Sequence, residues 1–444
     1  MDIAALAVDR ASRLGASEAE AFVKRARTVQ IGFSREVEDV KTAVSTGLGL
    51  RVILGKRAAM YSTSILDEGE VDVVVERALK VARVTPENRD WSHLNREYGK
   101  SSVRGVHDKA VEAIDYEEVM DKVHSALGIM NEADGRVKPT RGMLSLTSSE
   151  TSIANSYGDA VDGRGTVVIA WIRVKAEEAG LESTAGEHVE ARSLGEVDLD
   201  SLAGSAVERA LGYLRAKPVP GGEMPVIVRN QVAASIIGVM LSSPINADVV
   251  QRGGSPFGDR LGEQVAADHV TVVDHGVMPG GLGTRPFDHD GHPTQKTQVI
   301  VGGVLESFLY DSYTSLKAGV DSTGNARRSG YSSPPKPAPT NLLLEKGAAG
   351  VEEIIQDTRR GLYVDETIGE WLSNPVSGNL NATVTHGYLV EDGELTQPVK
   401  GVVLAGNFHE LLMDGFEILG DDLGNSGGFY SPTVKFSKLT VAGE

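Results

Sequence analysis

The sequence predicts an α+β fold, with an N-terminal domain that mixes helices with antiparallel strands and a mostly β C-terminal domain. The 51 glycines against 5% aromatic residues indicate many tight turns, which are typical of β-structure. Amphipathic helices and hairpins follow one another without the regular alternation of βαβ units. The run 217–222 combines two prolines with two glycines and cannot continue a helix. It therefore predicts a division of the chain into domains 1–216 and 223–444.

The first domain combines predicted helices with predicted hairpins. Asp2 is the predicted N-cap of the first helix, because an aspartate side chain accepts bonds from the first free amide groups. Apolar residues recur at helical spacing over residues 2–14, 69–83, 115–130 and 198–215. Alternation of apolar and polar residues predicts strands over 29–33, 47–54, 58–63, 143–154 and 165–175. Turn-forming residues separate the second strand from the third and the fourth from the fifth, so both pairs are predicted hairpins.

The second domain opens with a predicted strand over 225–229 and a predicted helix for which Asn230 is the N-cap. The apolar face of this helix consists of Val232, Ile236, Ile237, Met240 and Leu241. Further strand-like segments are residues 270–273, 296–301, 304–309, 382–390 and 399–404. Helical segments near 350–360 and 407–416 interrupt them, and the prolines of 334–339 predict a rigid extended segment.

Composition excludes several classes of protein and site. The net charge of -18 and the lack of a Lys/Arg-rich run disfavour nucleic acid and anionic membrane surfaces as partners. The chain has no cysteine, which excludes disulfides, cysteine-ligated zinc and cysteine nucleophiles. Its first residues lack the features of a signal peptide, and no apolar run approaches the ~20 residues that span a bilayer. We therefore expect a cytoplasmic protein.

The sequence lacks three common catalytic signatures. The pair Gly55-Lys56 is followed by Arg57 rather than by serine or threonine, so it is not a phosphate-binding loop. The Gly-x-Ser-x-Gly elbow of serine hydrolases does not occur. His409 and Glu410 stand together without a second histidine on the same segment, and we interpret them as a surface helix end.

A cluster of acidic and imidazole side chains is the first remaining candidate. Asp288, His289, Asp290 and His292 lie within five residues and could hold a divalent ion, although no third anchor can be named. The intervening glycine and the following proline are equally typical of a turn between strands. Both interpretations stay open.

The polar loop 322–328 is the second candidate. Thr323, Gly324 and Asn325 interrupt an apolar pattern and could line a substrate path, where asparagine and main-chain groups bind peptide amides. The alternative is an ordinary loop with an arginine that forms a salt bridge.

Seven sequence blocks in a characteristic order resemble the TldD/PmbA family. The blocks are GLGLRVILGKRAAMYST, IANSYGDAVDGRG, GGSPFGDRLGEQVA, FDHDGHPTQKT, DSTGNARR, GLYVDE and VKGVVLAGN. The resemblance covers nearly the whole chain and extends to the closing LTVAGE. It implies a peptidase-like scaffold.

The resemblance also implies a branch of the family. TldD-type members are zinc metallopeptidases with a His-Glu-x-x-x-His motif on the helix before the Gly-Ser block and a cysteine near the C-terminus. Here the corresponding helix, residues 232–243, contains no His and no Glu, and Gly238 and Ser243 fall where the histidines belong. Residues 424–427 read Gly-Asn-Ser-Gly where the cysteine would stand. The chain therefore resembles the PmbA branch, also called TldE, with no metal ligand and no catalytic residue of its own.

What the resemblance implies is a non-catalytic subunit of a TldD/TldE-type heterodimeric metallopeptidase. Such a pair degrades or trims unfolded peptides inside a channel, and the zinc belongs to the TldD-type partner. This chain would supply a dimer face and part of the channel wall, where an extended peptide can pair with a strand edge.

Two other functions stay open. One is a homodimeric, zinc-independent amide hydrolase or deacylase that uses the acidic cluster and the polar loop, since the isolated chain could pair with itself. The other is a peptide-binding module without catalysis. The predicted substrate-binding residues, one of which lies in the Gly-Ser block, are Ser255, Asp288, Asp290, Thr323, Gly324 and Asn325.

Overall fold

The computed structural model describes residues 2–443 and confirms the predicted α+β class. The helices of the first half are α1 (Ile3–Arg13), α2 (Glu68–Val84), α3 (Lys109–Glu112), α4 (Tyr116–Glu132) and α5 (Leu199–Gly212). Its strands are β1 (Glu18–Phe33), β2 (Val37–Leu54), β3 (Arg57–Thr63), β4 (Val137–Asn155), β5 (Gly158–Glu178) and β6 (Leu181–Ala191). These six strands form one antiparallel sheet in the order β3-β2-β1-β4-β5-β6, which leaves β6 at an edge.

The helices of the first half cover one face of this sheet. Alternate residues of β1 and β2 pack against α1 and α2, and alternate residues of β4 and β5 pack against α4 and α5. Successive strand residues point to opposite faces, so the intervening residues lie on a helix-free face. That face carries Glu20, Gly49 and Arg51, among others. Glu20 of β1 lies opposite Arg51 of β2, and Gly49 precedes Arg51 by two residues on β2. The second half of the chain packs against it.

The second half begins with β7 (Gly222–Val228) and contains five helices and fifteen strands among the described residues. The helices are α6 (Asn230–Leu241), α7 (Ala247–Val250), α8 (Ser312–Ala318), α9 (Val351–Gln356) and α10 (Phe408–Glu410). The strands of one six-stranded sheet are β8 (Val272–His275), β9 (Lys296–Val301), β10 (Val304–Leu305), β13 (Leu342–Leu344), β19 (Gly424–Ser426) and β20 (Phe429–Ser431). A separate short pair consists of β11 (Ala326–Arg327) and β12 (Lys336–Pro337).

The remaining strands of the second half surround a single core. They are β7, β14 (Arg360–Ile368), β15 (Asn379–Glu391), β16 (Glu394–Val399), β17 (Val402–Asn407), β18 (Phe416–Leu419) and β21 (Val434–Ala442). Their order is β14-β7-β21-β17-β15-β16, and β14 also pairs with β15, so five of the strands close into a barrel. Helix α6 packs into the same core through apolar residues such as Ile236, Ile237 and Met240.

Most predicted elements are confirmed, and several bounds are corrected. Asp2 caps α1 by accepting the Ala4 amide at 2.8 Å, and both predicted hairpins form. The sequence pattern missed the first half of β1 and all of β6, because polar residues occupy positions that tertiary contacts bury. The predicted strand 304–309 was too long, since the chain leaves the sheet after Leu305. The helix predicted near 350–360 ends at Gln356, and β14 starts at Arg360.

The predicted N-cap of α6 was wrong by one residue. Arg229 occupies the cap position and makes no side-chain cap bond. Asn230 lies inside the first turn, where its side chain accepts the Gln231 amide at 2.6 Å and donates to Asp422 at 2.9 Å. The long-range bond to Asp422 decides the orientation of Asn230, and the sequence pattern does not reveal it. Division of the chain into two domains at 217–222 stays a prediction.

The predicted segment 399–404 is also split in two. Strand β16 ends at Val399, Gly401 adopts a positive φ of 73°, and β17 starts at Val402. The segment predicted as helical near 407–416 holds α10 and a five-residue π-helical turn at Leu411–Gly415. No helix within residues 2–443 is long and apolar enough to cross a membrane.

Candidate functional site

A cleft of about 410 Å³ follows the free edge of β6, where the first sheet meets the second half of the chain. The strands β5 and β6 form one wall, and α6 and β14 form the other. The residues at the centre of the lining are Trp171, Arg173, Glu187, His188, Arg209, Arg229, Ser235 and Asp365. Sequence analysis missed this site, because the polar strand β6 has no apolar alternation that predicts it.

Alternate main-chain groups of β6 point away from β5, and part of this row lines the cleft. The carbonyl groups of Glu182, Gly186 and Glu190 accept bonds from the side chains of other elements, so this alternate set faces away from β5. Thr184 and His188 belong to the same alternation, and their side chains are exposed. Three outward carbonyls are therefore already bonded to side chains, and the outward groups at Thr184 and His188 remain as a template for pairing with another extended segment.

A network of ion pairs fixes the floor of the cleft. Arg209 of α5 contacts Glu187 of β6 and Asp365 of β14, each at 2.9 Å. Arg229, at the start of α6, contacts the same two carboxylates at 3.1 Å. The hydroxyl of Tyr213 donates to Asp365 at 2.9 Å. The network therefore joins elements from both halves of the chain at the edge of β6.

The charges of this network are satisfied within it. Burial by itself lowers the pKa of Arg209, but Asp365 and Glu187 outweigh burial and hold the pKa above its usual value. Burial raises the pKa of Tyr213, and Asp365 raises it further, so the hydroxyl stays protonated and keeps donating. Each charge of the network therefore lies beside an opposite charge, and the network positions the wall of the cleft.

Two of the positions where the family resemblance places zinc ligands, Gly238 and Gly424, have no room for a ligand side chain beside their present neighbours. Helix α6 and the strand β19 do lie side by side. However, a Cβ at Gly238 would overlap the ring of Phe429, with the ring Cγ at 2.6 Å. A Cβ at Gly424 would lie 2.5 Å from Cγ of Asn230. Nowhere in residues 2–443 do three or more His, Asp or Glu side chains form a group that could hold a metal ion.

Five of the six predicted substrate-binding residues come together elsewhere, in a buried polar centre between the halves. Asp288 is fully buried, and its side chain accepts the amides of Asp290 and His292 at 2.8 and 3.0 Å and that of Ala326 at 2.9 Å. Asp290 contacts Arg51 of β2 at 3.4 Å. Burial and the neighbouring Asp290 raise the pKa of Asp288 well above its usual value. The acidic cluster therefore shapes a turn and anchors it to the first sheet.

Asn325 closes the other side of this centre. Its amide donates to Asp274 at 2.7 Å and to the Ala338 carbonyl at 3.1 Å, and its oxygen accepts the Thr323 hydroxyl at 2.7 Å. Gly324 has a φ of 71°, and a Cβ there would lie 2.5 Å from the Pro293 carbonyl oxygen, so this position favours glycine. These contacts use most of the hydrogen-bonding capacity of the loop internally.

Ser255 lies apart from this centre. Its hydroxyl donates to the Pro244 carbonyl at 2.6 Å and accepts the Phe257 amide at 3.0 Å, which fixes the turn after α7. The structure therefore brings together Asp288, Asp290, Thr323 and Asn325 with Gly324, and leaves Ser255 elsewhere. A substrate-binding role for any of the six stays a prediction.

His289, beside this centre, is expected to make stability depend on pH. Burial lowers the pKa of His289 well below its usual value, and the positive charges of Arg285, Arg328, Lys24 and Arg327 lower it further. The ring accepts the Arg328 amide at Nδ1, at 2.8 Å, which requires the neutral form. The unfolded chain takes up this proton near its ordinary pKa and the folded chain only at lower pH. Stability contributed by His289 is therefore lost as the pH falls below about 6.5.

The comparison with a His289→Asn variant isolates this effect. Asparagine offers an amide oxygen as the acceptor and does not titrate. Urea unfolding between about pH 7 and pH 5 should show a steeper loss of stability for the natural chain than for the variant. Parallel pH profiles for the two proteins would contradict the assignment.

Three models of one protein family match the chain in order. They are described as PmbA/TldA metallopeptidase domain 1, central domain and C-terminal domain, and they match residues 19–82, 109–214 and 221–443. Together they cover most of the first sheet, α4, α5 and nearly all of the second half.

Known relatives match over most of their own length. A metalloprotease of Methanocaldococcus jannaschii is 25% identical over 390 residues, which cover 85% of this chain and 84% of the relative. A metalloprotease PmbA homologue of Haemophilus influenzae is 24% identical over 443 residues, which cover 98% and 94%.

Solved structures share the fold from end to end. A Thermotoga maritima protein described as a proposed modulator of a DNA gyrase superposes with a TM-score of 0.88 at 25% identity, covering 99% of both chains. TldE from Thermococcus kodakarensis superposes with a TM-score of 0.90 at 22% identity, covering 98% of this chain and 99% of that one. At that identity, the second likeness supports the fold alone.

Proposed function

Because the chain belongs to the PmbA/TldD metallopeptidase family, we propose that it is the non-catalytic, peptide-binding subunit of a two-subunit peptidase of the TldD/TldE type. The TldD-type partner would hold the zinc ion and cleave the peptide. This chain would hold part of an unfolded peptide along β6. The pair would act in the cytoplasm, as the sequence predicts.

The observation that carries the non-catalytic part is the lack of histidine and cysteine at the ligand positions, two of which are also filled by neighbouring side chains. Zinc catalysis needs about three protein ligands and an open position for water. Gly238 lies against the Phe429 ring and Gly424 lies against Asn230, so neither position has room for a ligand side chain without movement of its neighbour. We derive no catalytic step from the residues of this chain.

The free edge of β6 supports the peptide-binding part. Main-chain pairing with an edge strand binds extended chains with little regard to sequence. The cleft beside β6 holds about 410 Å³, and the ion-pair network around Arg209 keeps its walls in place. A folded protein cannot present a free extended segment to such an edge, so unfolded peptides are the substrate class that this geometry favours.

A reconstitution assay tests the proposed division of labour. The purified chain, a purified TldD-type subunit from the same organism, and their mixture are each incubated with a fluorogenic unfolded peptide. We expect cleavage in the mixture to exceed the sum of the two separate rates, and a zinc chelator to abolish it. Chelator-sensitive cleavage by this chain alone would refute the non-catalytic role. A mixture no faster than the TldD-type subunit alone would refute the partnership.

A variant of the edge strand tests the peptide-binding part. His188→Pro removes one outward N–H of β6 and leaves the ladder to β5 intact, because proline is tolerated on the open side of an edge strand. We expect this variant to bind an unfolded peptide about fivefold to tenfold more weakly, the loss of roughly one main-chain hydrogen bond.

His188→Ala is the matched control, because it removes the same side chain and keeps the N–H. It should bind the peptide as the natural chain does. Fluorescence anisotropy with a labelled peptide measures both, and unchanged melting temperatures exclude unfolding. Equal affinities for the proline and alanine variants would rule out edge pairing at this position.

A further inference from the structure

A second cleft of about 430 Å³ lies between the helix-free face of the first sheet and the loops of the second half. Its charged lining is entirely basic, although the chain carries a net charge of -18. The basic residues are Lys24, Arg164, Arg192, Arg285, Arg327 and Arg328. No Asp or Glu lines this cleft among the described residues. A concentration of one charge in a chain of opposite sign indicates a recognition site rather than solubility.

Half of these cations are already engaged. Arg328 pairs with the buried Glu20, and Arg164 contacts Glu150 at 3.0 Å. Arg192 donates to main-chain carbonyls, among them that of Gly281 at 3.0 Å. These three side chains build the walls of the cleft.

The other half have no anionic partner within residues 2–443. Lys24, Arg285 and Arg327 form no ion pair with any described carboxylate at 4.0 Å or less. Lys24 and Arg327 are exposed at the mouth of the cleft. Three positive charges that lack a close ion-pair partner among the described residues surround one cavity, and such a group attracts an anion.

Arg285 carries the clearest mark of a missing ligand. Its Nε is buried and has no hydrogen-bond partner among residues 2–443, while one Nη donates to the Ala326 carbonyl at 3.2 Å. Burial, against the opposing charge of Asp288, and the neighbouring Arg327 together lower the pKa of Arg285 to about 10. Buried polar groups normally have partners. A guanidinium offers paired donors that match a carboxylate or phosphate in two parallel bonds.

The basic cleft continues the line of the peptide cleft along β5. Gly163, Gly165 and Val167 line the basic cleft, and Ile169 and Trp171 line the cleft at β6. Every second residue of a strand points to the same face, so these five residues form one continuous row. Four residues of an extended strand span roughly 13 Å, so a short extended peptide reaches from one cleft to the other.

We propose that the basic cleft binds a carboxylate of the peptide that lies along β6, either its C-terminal carboxylate or an acidic side chain. Arg285 and Arg327 would grip the carboxylate, and Lys24 would contribute charge at the mouth. The part of this inference that concerns peptides rests on the proposed function. The anion site itself rests on the three cations that lack a close ion-pair partner among the described residues.

Matched peptides test the inference with the full-length chain. One labelled neutral peptide is prepared as the C-terminal amide, as the free acid, and as the amide with one glutamate added. At low salt we expect the natural chain to bind at least one acidic form about tenfold more tightly than the neutral amide. The form that gains affinity identifies the source of the carboxylate.

Two variants locate the effect. Arg285→Gln and Arg327→Gln should each reduce the preference for the acidic form to about twofold or less, with the affinity for the neutral amide unchanged. Arg327 is exposed and forms no ion pair, so its variant is expected to fold normally. Arg57→Gln, which alters an exposed arginine paired with Glu87 at 3.3 Å, is the control and should keep the preference.

The outcomes separate this inference from the proposed function. Equal affinity for the three peptides, together with the weakening by His188→Pro, would overturn the carboxylate site and leave the edge site standing. Failure of every peptide to bind would overturn the peptide-binding function and this use of the cleft together. In that case, inorganic phosphate tests the anion site by itself. We expect the phosphorus NMR line of phosphate to broaden when the natural chain is added and not when the Arg285→Gln variant is added. Equal broadening by the two proteins would refute the site.

Discussion

Replacing Glu20 with glutamine is expected to lower the free energy of unfolding by about 3–5 kcal/mol. Glu20 is 1% exposed and lies on the helix-free face of the first sheet, where it contacts Arg51 at 2.9 Å and Arg328 more closely still. Arg328 is 5% exposed. Glutamine fills the same space without the charge, so the buried Arg328 loses its counter-charge and Arg51 keeps only its contact with Asp290 at 3.4 Å.

An exposed ion pair provides the control for Glu20. Arg57 contacts Glu87 at 3.3 Å, and their side chains are 41% and 58% exposed. Glu87→Gln should cost about 1 kcal/mol or less, because water already solvates both partners. Urea midpoints for the natural chain and both variants measure the difference, provided the slopes of the transitions agree. Similar midpoints for the Glu20 and Glu87 variants would show that the buried network contributes little.

Replacing Gly49 with alanine is expected to destabilise the protein by about 1–3 kcal/mol. A Cβ at Gly49 would overlap the main-chain oxygen of Tyr331 and lie 2.7 Å from the terminal carbon of Met60. The main chain of the second half passes so close to β2 at this point that only glycine leaves room for it. The substitution should therefore loosen the contact between the two halves as well as lower stability.

A second Gly→Ala substitution serves as the control for Gly49. Gly128 lies inside α4, and a Cβ there meets no atom within 4 Å. Gly128→Ala should raise stability by about 0.5–1 kcal/mol, because alanine favours the helix and restricts the unfolded chain. Melting temperatures compare the two, and limited proteolysis near Tyr331 reports the loosened segment. Unchanged proteolysis in Gly49→Ala would contradict the close packing.

Local patterns were sufficient to predict the helices and the hairpins. The apolar stripe of α2 and the capping aspartate of α1 act within one or two turns, so a single sequence reveals them. The strand β6 escaped prediction, since its buried positions include Ser183 and Glu187. Glu187 is buried only because Arg209 and Arg229 reach it from other elements. Such burial depends on tertiary contacts, and the local periodicity of the sequence does not predict these contacts.

The candidate site could also be predicted only in part, because it too depends on tertiary contacts. Sequence analysis selected Asp288 and Asn325 for their chemical character, and the structure brings them together across 37 positions of the chain. Asp288 accepts the Ala326 amide there, and Asn325 donates to Asp274. The basic cleft could not be predicted, because Lys24 and Arg285 are distant in sequence and the net charge points the other way. These charges come together only because the two halves of the chain pack against each other.

The place of β7 in the barrel has a consequence for synthesis on the ribosome. β7 pairs with β14 on one side and with β21 on the other, and both are translated long after it. All six strands of the first sheet emerge before either of them. A nascent chain thus carries a nearly complete first half followed by a barrel that is open at its seam, until residues 434–442 arrive. Unpaired strands invite aggregation, so we expect the emerging second half to depend on chaperones more than the first.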